Sequence, residues 1–591
     1  MTDSIVIFTF SPVQPFIAQA RRAADLYSGS QLLVELANAA ATAMQTAGAD
    51  LIYPASLKDD APNRLVAKTA NVDACIQAAE QGFADQWAKL SQIAHDKLSE
   101  YPPSPDKEWQ AIWDRQTKRL WEIYWSSAEM KQDDFQAAYE NARHALEAAK
   151  RIRTFEQAEE DGLKDSLSGE RSSLRTENKD GREYWKTVSN SPKVTASKLK
   201  PDGRERLDAI GAIKRFGEVE EKKQIKPFHG FPSTSTIASL LYLRHARAKA
   251  PGLLENYAAQ IEKLHCFQVR RDGVWRYDGD LFFPEMLDPR RMYEDYHLTL
   301  SPVQLKPAQE ALKALGKEIG RPSAYYAILA LDGDQMGKRV NACKTIEEAK
   351  SLSKSLAGFA QSVREKTDKY ADNGDLEPRV YVIYNGGDDL LAMTSLENAF
   401  PAAQQFAVDF KKAVPDKTIS AGIAIVHHQA PLSASLRIAR DALEEAKEKG
   451  DRDAICIQVV KRGSAPLELL SKWEDVGDHF TTLIEDFTTP DENTPARLSS
   501  KFAYAVLDEA QTVTALGSEA RESALNRLVK RHKQGETPPS TTAETLAAWT
   551  EKLDGYVPPL FVNNSAEVKQ GMVTLGNWLV AARFIAQGGT E

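Results

Sequence analysis

Cysteine is scarce. Four stand in 591 residues, Cys75, Cys266, Cys343 and Cys456, far apart and with no CxxC pair. A disulfide framework and a zinc ribbon are therefore not expected, and the usage fits a reducing, cytoplasmic setting. No stretch approaches about 18 uninterrupted apolar residues, so no membrane span is predicted; even the apolar end around Trp578 is broken by Arg583. The opening MTDSIVIFTFSP lacks a basic segment ahead of a long apolar run, which argues against a signal peptide. Excess positive charge is missing too. Lys and Arg number 75 against 84 Asp and Glu, a net −9, so no basic coat for nucleic acid covers the whole chain, although local basic grooves remain open.

What is present is enough apolar residue, 42%, to give several domains a core. At about 100–200 residues per domain the length predicts three to five of them. Ile5–Phe10 reads as a buried strand, followed by a helical pattern from about Pro15 to Gln45 interrupted near Ser28-Gly29-Ser30. Leu51–Pro54 is a second short strand, and Asn71 to Gln157 is helical by its spacing. Residues 265–320 mix strands and loops. The clearest unit follows: strand Tyr325–Leu331, helix Ile346–Lys369, paired strands Arg379–Tyr384 and Asp389–Met393, helix Asn398–Val414, strand Ser420–Val426, helix Leu432–Glu448 and strand Ala454–Val460. That alternation predicts a small α/β domain. After Gly463 the pattern is helical, with breaks near Thr488–Pro495, Gly535–Ser540 and Pro558-Pro559. Its apolar end, Met572–Ile585, is either core or a docking face for a partner. Between Lys150 and Lys226 the chain is polar and carries 19 Lys and Arg against 15 Asp and Glu. This is a solvated insertion or a surface facing RNA or a neighbouring subunit.

The chemistry concentrates in RVYVIYNGGDDLLAM, Arg379–Met393. Asn385-Gly386 tolerates the positive φ of a tight hairpin turn, which places Asp388 and Asp389 at the start of the returning strand. Adjacent carboxylates in an apolar hairpin repel each other and lose hydration, and a divalent cation compensates both costs. A second acidic cluster, Asp332-Gly333-Asp334, ends the strand Ala327–Leu331. A lone DGD is ordinarily a turn. If the two strands are neighbours, however, three or four carboxylates converge on a spot suited to Mg²⁺ (or Mn²⁺) and substrate phosphates, and Gly333, without a Cβ, allows close approach.

The GGDD hairpin with an upstream DGD resembles the palm domain of nucleotide cyclases, diguanylate cyclases and many polymerases. The run FSPVQPFIAQARRAADLYSGSQLL, with FHGFPSTSTIA, LDGDQMGK, YNGGDDLLA and EEAKEKGDRDAICIQVVKRGS, resembles more narrowly the large, Cas10-type subunit of type III-B (Cmr) CRISPR effector complexes, RNA-activated synthetases of cyclic oligoadenylates in antiviral defence. The resemblance covers about residues 4–465. It implies an α+β multidomain fold with two ferredoxin-like palms. The first palm would span 1–235, with helical and polar insertions at about 71–226. A small α/β or helical linker would follow at 236–320, the second palm at 321–465 and a C-terminal helical domain at 466–591. It implies ATP as substrate, Asp332, Asp388 and Asp389 as catalytic metal ligands, and Asp334 as a further ligand. Gly333, Gly386, Gly387, Lys447, Lys461 and Arg462 would bind nucleotide in the second palm, and Arg21, Asp25 and Ser30 would line the cleft from the first. Partners would be other Cmr subunits, guide crRNA and target RNA, with no membrane.

Two departures from the family pattern bear on function. The first palm strand begins at residue 5, leaving no room ahead of it for the HD nuclease domain of larger members. The only His-Asp dipeptide, His95-Asp96, holds the first histidine of the chain and lies on an amphipathic helix, so DNA cleavage by this subunit is not expected. DSLSGERSS (Asp165–Ser173) and RLDAIGAIKR (Arg206–Arg215) resemble the family's zinc loops without their cysteines, so no structural zinc is expected and hydrogen bonds must hold that insertion. Two other readings stay open: a catalytically weak subunit anchoring the crRNA complex, and a palm that transfers AMP to another small acceptor.

Overall fold

A computed structural model of the chain describes residues 3–57, 62–152, 159–217, 230–271, 273–369, 379–463, 465–490, 494–514, 517–554 and 571–589. Phe228 and His229, the 218–226 end of the polar insertion and the Pro558-Pro559 break lie outside them. Two sheets organise the chain. The first contains β1 (Ser4–Ser11), β2 (Asp50–Tyr53), β3 (Arg64–Thr69) and β4 (Glu122–Glu129) in the order β2-β3-β1-β4. Helices Ala23–Thr46 and Val72–Ser99 connect them as β-α-β-β-α-β, the ferredoxin-like arrangement. The second sheet contains β5 (Tyr325–Gly333), β6 (Val380–Asn385), β7 (Asp389–Ser395), β8 (Ile419–His427), β9 (Ala454–Val460) and β10 (Leu467–Lys472), ordered β10-β9-β8-β5-β7-β6. Its β8-β5-β7-β6 portion repeats the first sheet's order strand for strand. Helix Leu432–Glu448 then crosses over to β9, parallel to β8, and β10 returns antiparallel.

Both faces of β5 are buried, so its sequence is a continuous apolar run rather than an alternating one. Ala327, Leu329 and Leu331 face the core under helices Ile346–Lys369 and Ala399–Ala413. Tyr326, Ile328 and Ala330 join Val6, Phe8 and Phe10 of β1 and Leu436 of the crossover helix in a second core. The palms therefore share apolar cores. Polar contacts tie them as well: Lys350 to Asp50 at 2.6 Å, and Ala55 N–H to Ser353 Oγ at 2.8 Å. The C-terminal helix Gly571–Ala586 buries Met572, Leu575, Trp578 and Leu579, with Phe584 edge-on to Tyr325 at 4.9 Å. The apolar end is thus core. Among the described residues no helix is long and apolar enough to cross a membrane.

Several elements differ from the sequence reading. The first long helix breaks at 19–22, not at Ser28-Gly29-Ser30. β3 was not anticipated, and β4 lies where 71–157 reads as helix, because EIYWSSAE gains its conformation by pairing with β1 and not from any helical face. Residues 265–320 include helices Pro289–Tyr296 and Pro302–Ile319, and β10 follows Gly463 where helix was expected.

The polar insertion is not a solvated loop over its described part. Helices Gly181–Ser189 and Ala209–Phe216 bury Trp185, Val188, Ile210 and Ile213 against the first palm. Five of its charged residues, Asp165, Glu205, Asp208, Lys214 and Arg215, are buried. Arg215 holds Asp25 through two hydrogen bonds, at 2.5 and 2.6 Å, and reaches Glu205 at 3.3 Å. Arg22 pairs with Glu205, and Arg171 with Asp208. Burial alone would raise the Glu205 pKa, but Arg22 and Arg215 outweigh it and hold that carboxyl well below the ordinary range. Burial pushes the neighbouring Lys214 amine down to about 7, its Nζ donating to the Phe16 and Gln19 carbonyls.

Arg215→Met strips buried Asp25 of its side-chain cation and leaves Glu205 with Arg22 alone. It is expected to destabilise the insertion by roughly 3–5 kcal/mol, read as faster proteolysis and hydrogen exchange over 159–217. The Glu205 contribution is present at neutral pH and is lost only as pH falls below the usual Glu range of about 4.3. Unchanged protection in the variant would contradict the clamp.

Candidate active site

β5 and β7 are antiparallel neighbours, and their register sets Asp332 directly opposite Asp389. The hairpin joining β6 to β7 closes with Gly386 N–H donating to the Asp389 carbonyl at 3.0 Å. Gly387, at φ +103°, takes the left-handed conformation. The turn thus sits one residue later than the Asn-Gly signal implies: Asn385 ends β6, and its buried amide donates to the Ala360 carbonyl at 3.2 Å. Asp388 falls in the turn, and its carbonyl accepts from Gly333 N–H at 3.2 Å. A Cβ on Gly333 would stand 2.8 Å from Met336 Cγ and from Phe410 Cζ, and 2.9 Å from Asp388 Cβ. Glycine is needed there so that the strand end and the hairpin can close on each other.

Three carboxylates are therefore brought together, Asp332, Asp388 and Asp389. Burial, then the charge of Asp332, pushes the Asp388 pKa up to about 6. Burial and a hydrogen-bonding contact with the Asp332 carboxyl hold Asp389 well above the usual range. One cation answers the cluster directly: Lys447 Nζ, from the crossover helix, pairs with Asp332 Oδ2. Arg440 of the same helix lies close enough to feel the Asp389 charge.

A cavity of about 200 Å³ opens beside the pair, lined by both palms: Tyr53, Arg64 and Tyr139 from the first, Met336, Asp388 and Asp389 from the second. Burial, then the Asp388 charge, raises the Tyr53 phenol well above its normal pKa. Sequence reasoning missed these first-palm residues. Nothing local marks them, because they reach the site only through the packing of one sheet on the other.

Asp334 is not brought to the pair. Its carboxylate accepts from Ser420 Oγ and Thr418 Oγ1, each at 2.7 Å, and from Asp453 N–H at 3.0 Å. It fastens the end of β5 to β8 and to the loop before β9. Residues two apart on a strand share a face, which made DGD look like two ligands; the strand ends at Gly333, and Gln335 turns left-handed at φ 55°. Lys461 and Arg462 lie at the far end of the sheet. Asp332 pairs with Ser420 at the start of β8, whereas β9 ends at Val460 beside Val426. Six residues of strand, about 20 Å, separate the two levels. There Lys461 Nζ sits over the Phe584 ring and Arg462 bonds Gln429. In the first palm, Asp25 is committed to Arg215, Ser30 is fully buried, and exposed Arg21 lines a separate cavity of about 710 Å³ with Lys200, Asp278 and His428.

Among the described residues, no group of three or more His, Cys, Asp or Glu is arranged as a ready metal cage. The two facing carboxyls, destabilised by each other's charge, nevertheless match Mg²⁺ chemistry, in which one or two carboxylates are completed by waters and substrate phosphates.

Two ferredoxin-like sheets, one of them carrying a GGDD hairpin opposite a strand-end aspartate, define a palm-domain protein. The sequence matches the family "Cas10/Cmr2, second palm domain" over 325–456 and "CRISPR-associated protein Cmr2, N-terminal" over 5–107. A Pyrococcus furiosus protein described as CRISPR system Cmr subunit Cmr2 is 30% identical over 307 residues; the match covers 46% of this chain and about a third, 33%, of that relative. Two cryo-EM structures of Type III-B Cmr-beta share the fold with TM-score 0.65: the apo state (12% identity, 100% of this chain and 82% of that one) and the complex bound to cognate target RNA (14% identity, 100% and 83%). Over these two stretches the chain is similar to Cas10/Cmr2 proteins, and it spans about a third of the curated relative it matches.

A carboxyl whose folded-state pKa is raised destabilises the fold above its unfolded pKa, about 3.9 for Asp, and not below it. In a chelating buffer, Asp389→Asn is therefore expected to raise the unfolding temperature at pH 8, with the gain vanishing towards pH 4. Asp334→Ala leaves the buried Ser420 hydroxyl, the half-buried Thr418 hydroxyl and the Asp453 N–H without their acceptor and is expected to cost about 1–3 kcal/mol. Equal effects of the two substitutions in a thermal melt would contradict this division of roles.

Proposed function

We propose that the chain is the large subunit of a type III-B (Cmr) ribonucleoprotein containing guide crRNA, and that its second palm makes cyclic oligoadenylates from ATP when target RNA is engaged. The observation carrying this reading is the register of Asp332 opposite Asp389, with Asp388 one residue away in the same half-sealed niche. A merely structural palm has no use for three carboxylates brought together, two of which, Asp388 and Asp389, are held above the usual range. The assembly rests on the family matches and on the Cmr-beta fold neighbour solved with cognate target RNA.

Asp332, Asp388 and Asp389 would hold Mg²⁺ or Mn²⁺, which would supply neutralisation of phosphoryl charge and a lowered pKa of the attacking hydroxyl. The 3′-oxygen of one nucleotide bonds to the α-phosphorus of the next, the bond from that phosphorus to the β-bridging oxygen breaks, and pyrophosphate leaves. The hydroxyl proton departs through the carboxylates to water. A last attack, by the oligomer's own 3′-hydroxyl on its 5′ α-phosphate, closes the ring. Gly333, Gly386 and Gly387 keep side chains out of the nucleotide's approach. Lys447, paired with Asp332, would supply positive charge to phosphates beside that carboxylate. This reading gives no part in the step to Asp334, Asp25 and Arg462, which hold other partners, to Lys461, which lies over Phe584, or to Arg21 and Ser30.

In the reconstituted complex with labelled ATP, Mg²⁺ and cognate RNA, Asp388→Ala with Asp389→Ala is expected to reduce product at least a thousandfold while leaving assembly intact. Undiminished cyclic product, identified by mass spectrometry, would sink the mechanism. A linear or mixed adduct would redirect it to AMP transfer.

A further inference from the structure

The two sheets superpose in topology: β1 corresponds to β5, β2 to β6, β3 to β7 and β4 to β8. In the second palm the first residue of β7 is Asp389, opposite Asp332 on β5. In the first palm the first residue of β3 is Arg64, opposite Thr9 on β1. Corresponding positions therefore carry opposite charges, and both side chains line the same inter-palm cavity of about 200 Å³.

Arg64 is half-buried. Among the described residues it makes no ion pair, and its Nε is buried without a hydrogen-bond partner. Two further cations gather beside it. Arg143, on helix Phe135–Arg151, also lines the cavity and shares the single carboxylate of Glu147, at 2.5 Å. Lys150 lies close enough for burial and the Arg64 charge to lower its pKa. Tyr139 lies within range of both guanidinium charges. Arg64 and Arg143 are half-buried and share one partial counter-ion, and the buried, unbonded Arg64 Nε is costly unless an acceptor completes it. The opposite wall, Asp388 and Asp389, repels a bare anion and accepts one only together with a cation.

We infer that Arg64 and Arg143 of the first palm bind the polyphosphate of the metal-bound nucleoside triphosphate whose reacting end lies at the aspartates of the second. This deepens the function proposed above and rests on it. Arginine suits the role, since its planar fork grips phosphate oxygens in pairs. The volume agrees: pockets enclosing a whole small molecule run to about 300–1,000 Å³, so this cavity takes the phosphate tail and leaves the nucleoside at the mouth. Arg64 and Arg143 are positioning residues, one sheet away from the carboxylates.

Calorimetric titration of the full chain with Mg-ATP, tripolyphosphate with Mg²⁺, and adenosine tests this, with the thermal melt as a folding control. Arg64→Gln and Arg143→Gln should each weaken Mg-ATP and tripolyphosphate about tenfold or more, the weight of a charge-assisted hydrogen bond, leave adenosine unchanged, and melt as the parent does. Arg64→Lys, which keeps the charge and loses the fork, should recover part of the loss and serves if the glutamine variant melts early. Parental Mg-ATP affinity in both glutamine variants, alongside weakened binding in Asp388→Asn, would overturn the role of the arginines and leave the catalytic proposal standing. No Mg-ATP binding by the parent chain, with no cyclic product from the complex, would remove both.

Discussion

The arrangement turns on an electrostatic conflict held in place by backbone hydrogen bonds. Asp332 and Asp389 stand opposite each other because two central strands are registered that way. The register belongs to the apolar residues of β5 and β7, buried on both faces, and a one-residue slip would turn Leu329 and Leu391 out of their cores. The carboxylates cannot separate without dismantling the middle of the sheet. Strain of this kind belongs at functional sites, where the surrounding structure over-determines an unfavourable local state.

The remainder of the site reads as support for that pair. Gly333 lets the strand end meet the hairpin at side-chain contact distance. Asp334 anchors the same strand end to β8 and to the loop ahead of β9. Lys447 supplies one positive charge from the crossover helix, so the niche is partly compensated. The C-terminal helices press Phe584 against Tyr325 at the far end of β5, bracing the strand from the other side. The buried ion pairs of the insertion do comparable work for the first palm, tying Asp25 and Arg22 at the start of its long helix to residues almost two hundred positions later.

Much of the second palm is legible in the sequence. Helices Ile346–Lys369 and Leu432–Glu448 and strand Ala454–Val460 begin and end where their periodicity and flanking turn residues say. The GGDD hairpin is visible because glycine and paired acids interrupt an apolar run. The first palm is harder to read. β3 and β4 are short and half polar, and they become strands only by pairing with β1, a contact the linear pattern does not contain. The site divides in the same way. Asp332, Asp388 and Asp389 announce themselves by chemistry at a strand end. Asp334 has the right spacing, but the chain leaves the strand before reaching it. Lys461 and Arg462 follow a strand, but its parallel pairing with β8 sends them to the wrong end. Tyr53, Arg64 and Tyr139 are ordinary residues until the two sheets are stacked.

The repeated sheet order has a consequence for assembly. A symmetric pair of identical palm chains would present the same residues from both halves. Here both halves lie on one polypeptide, and their equivalent strand starts carry opposite signs. Every molecule thus contains one half of each kind in fixed proportion, and the connecting chain takes over the discrimination that a dimer interface would otherwise have to provide.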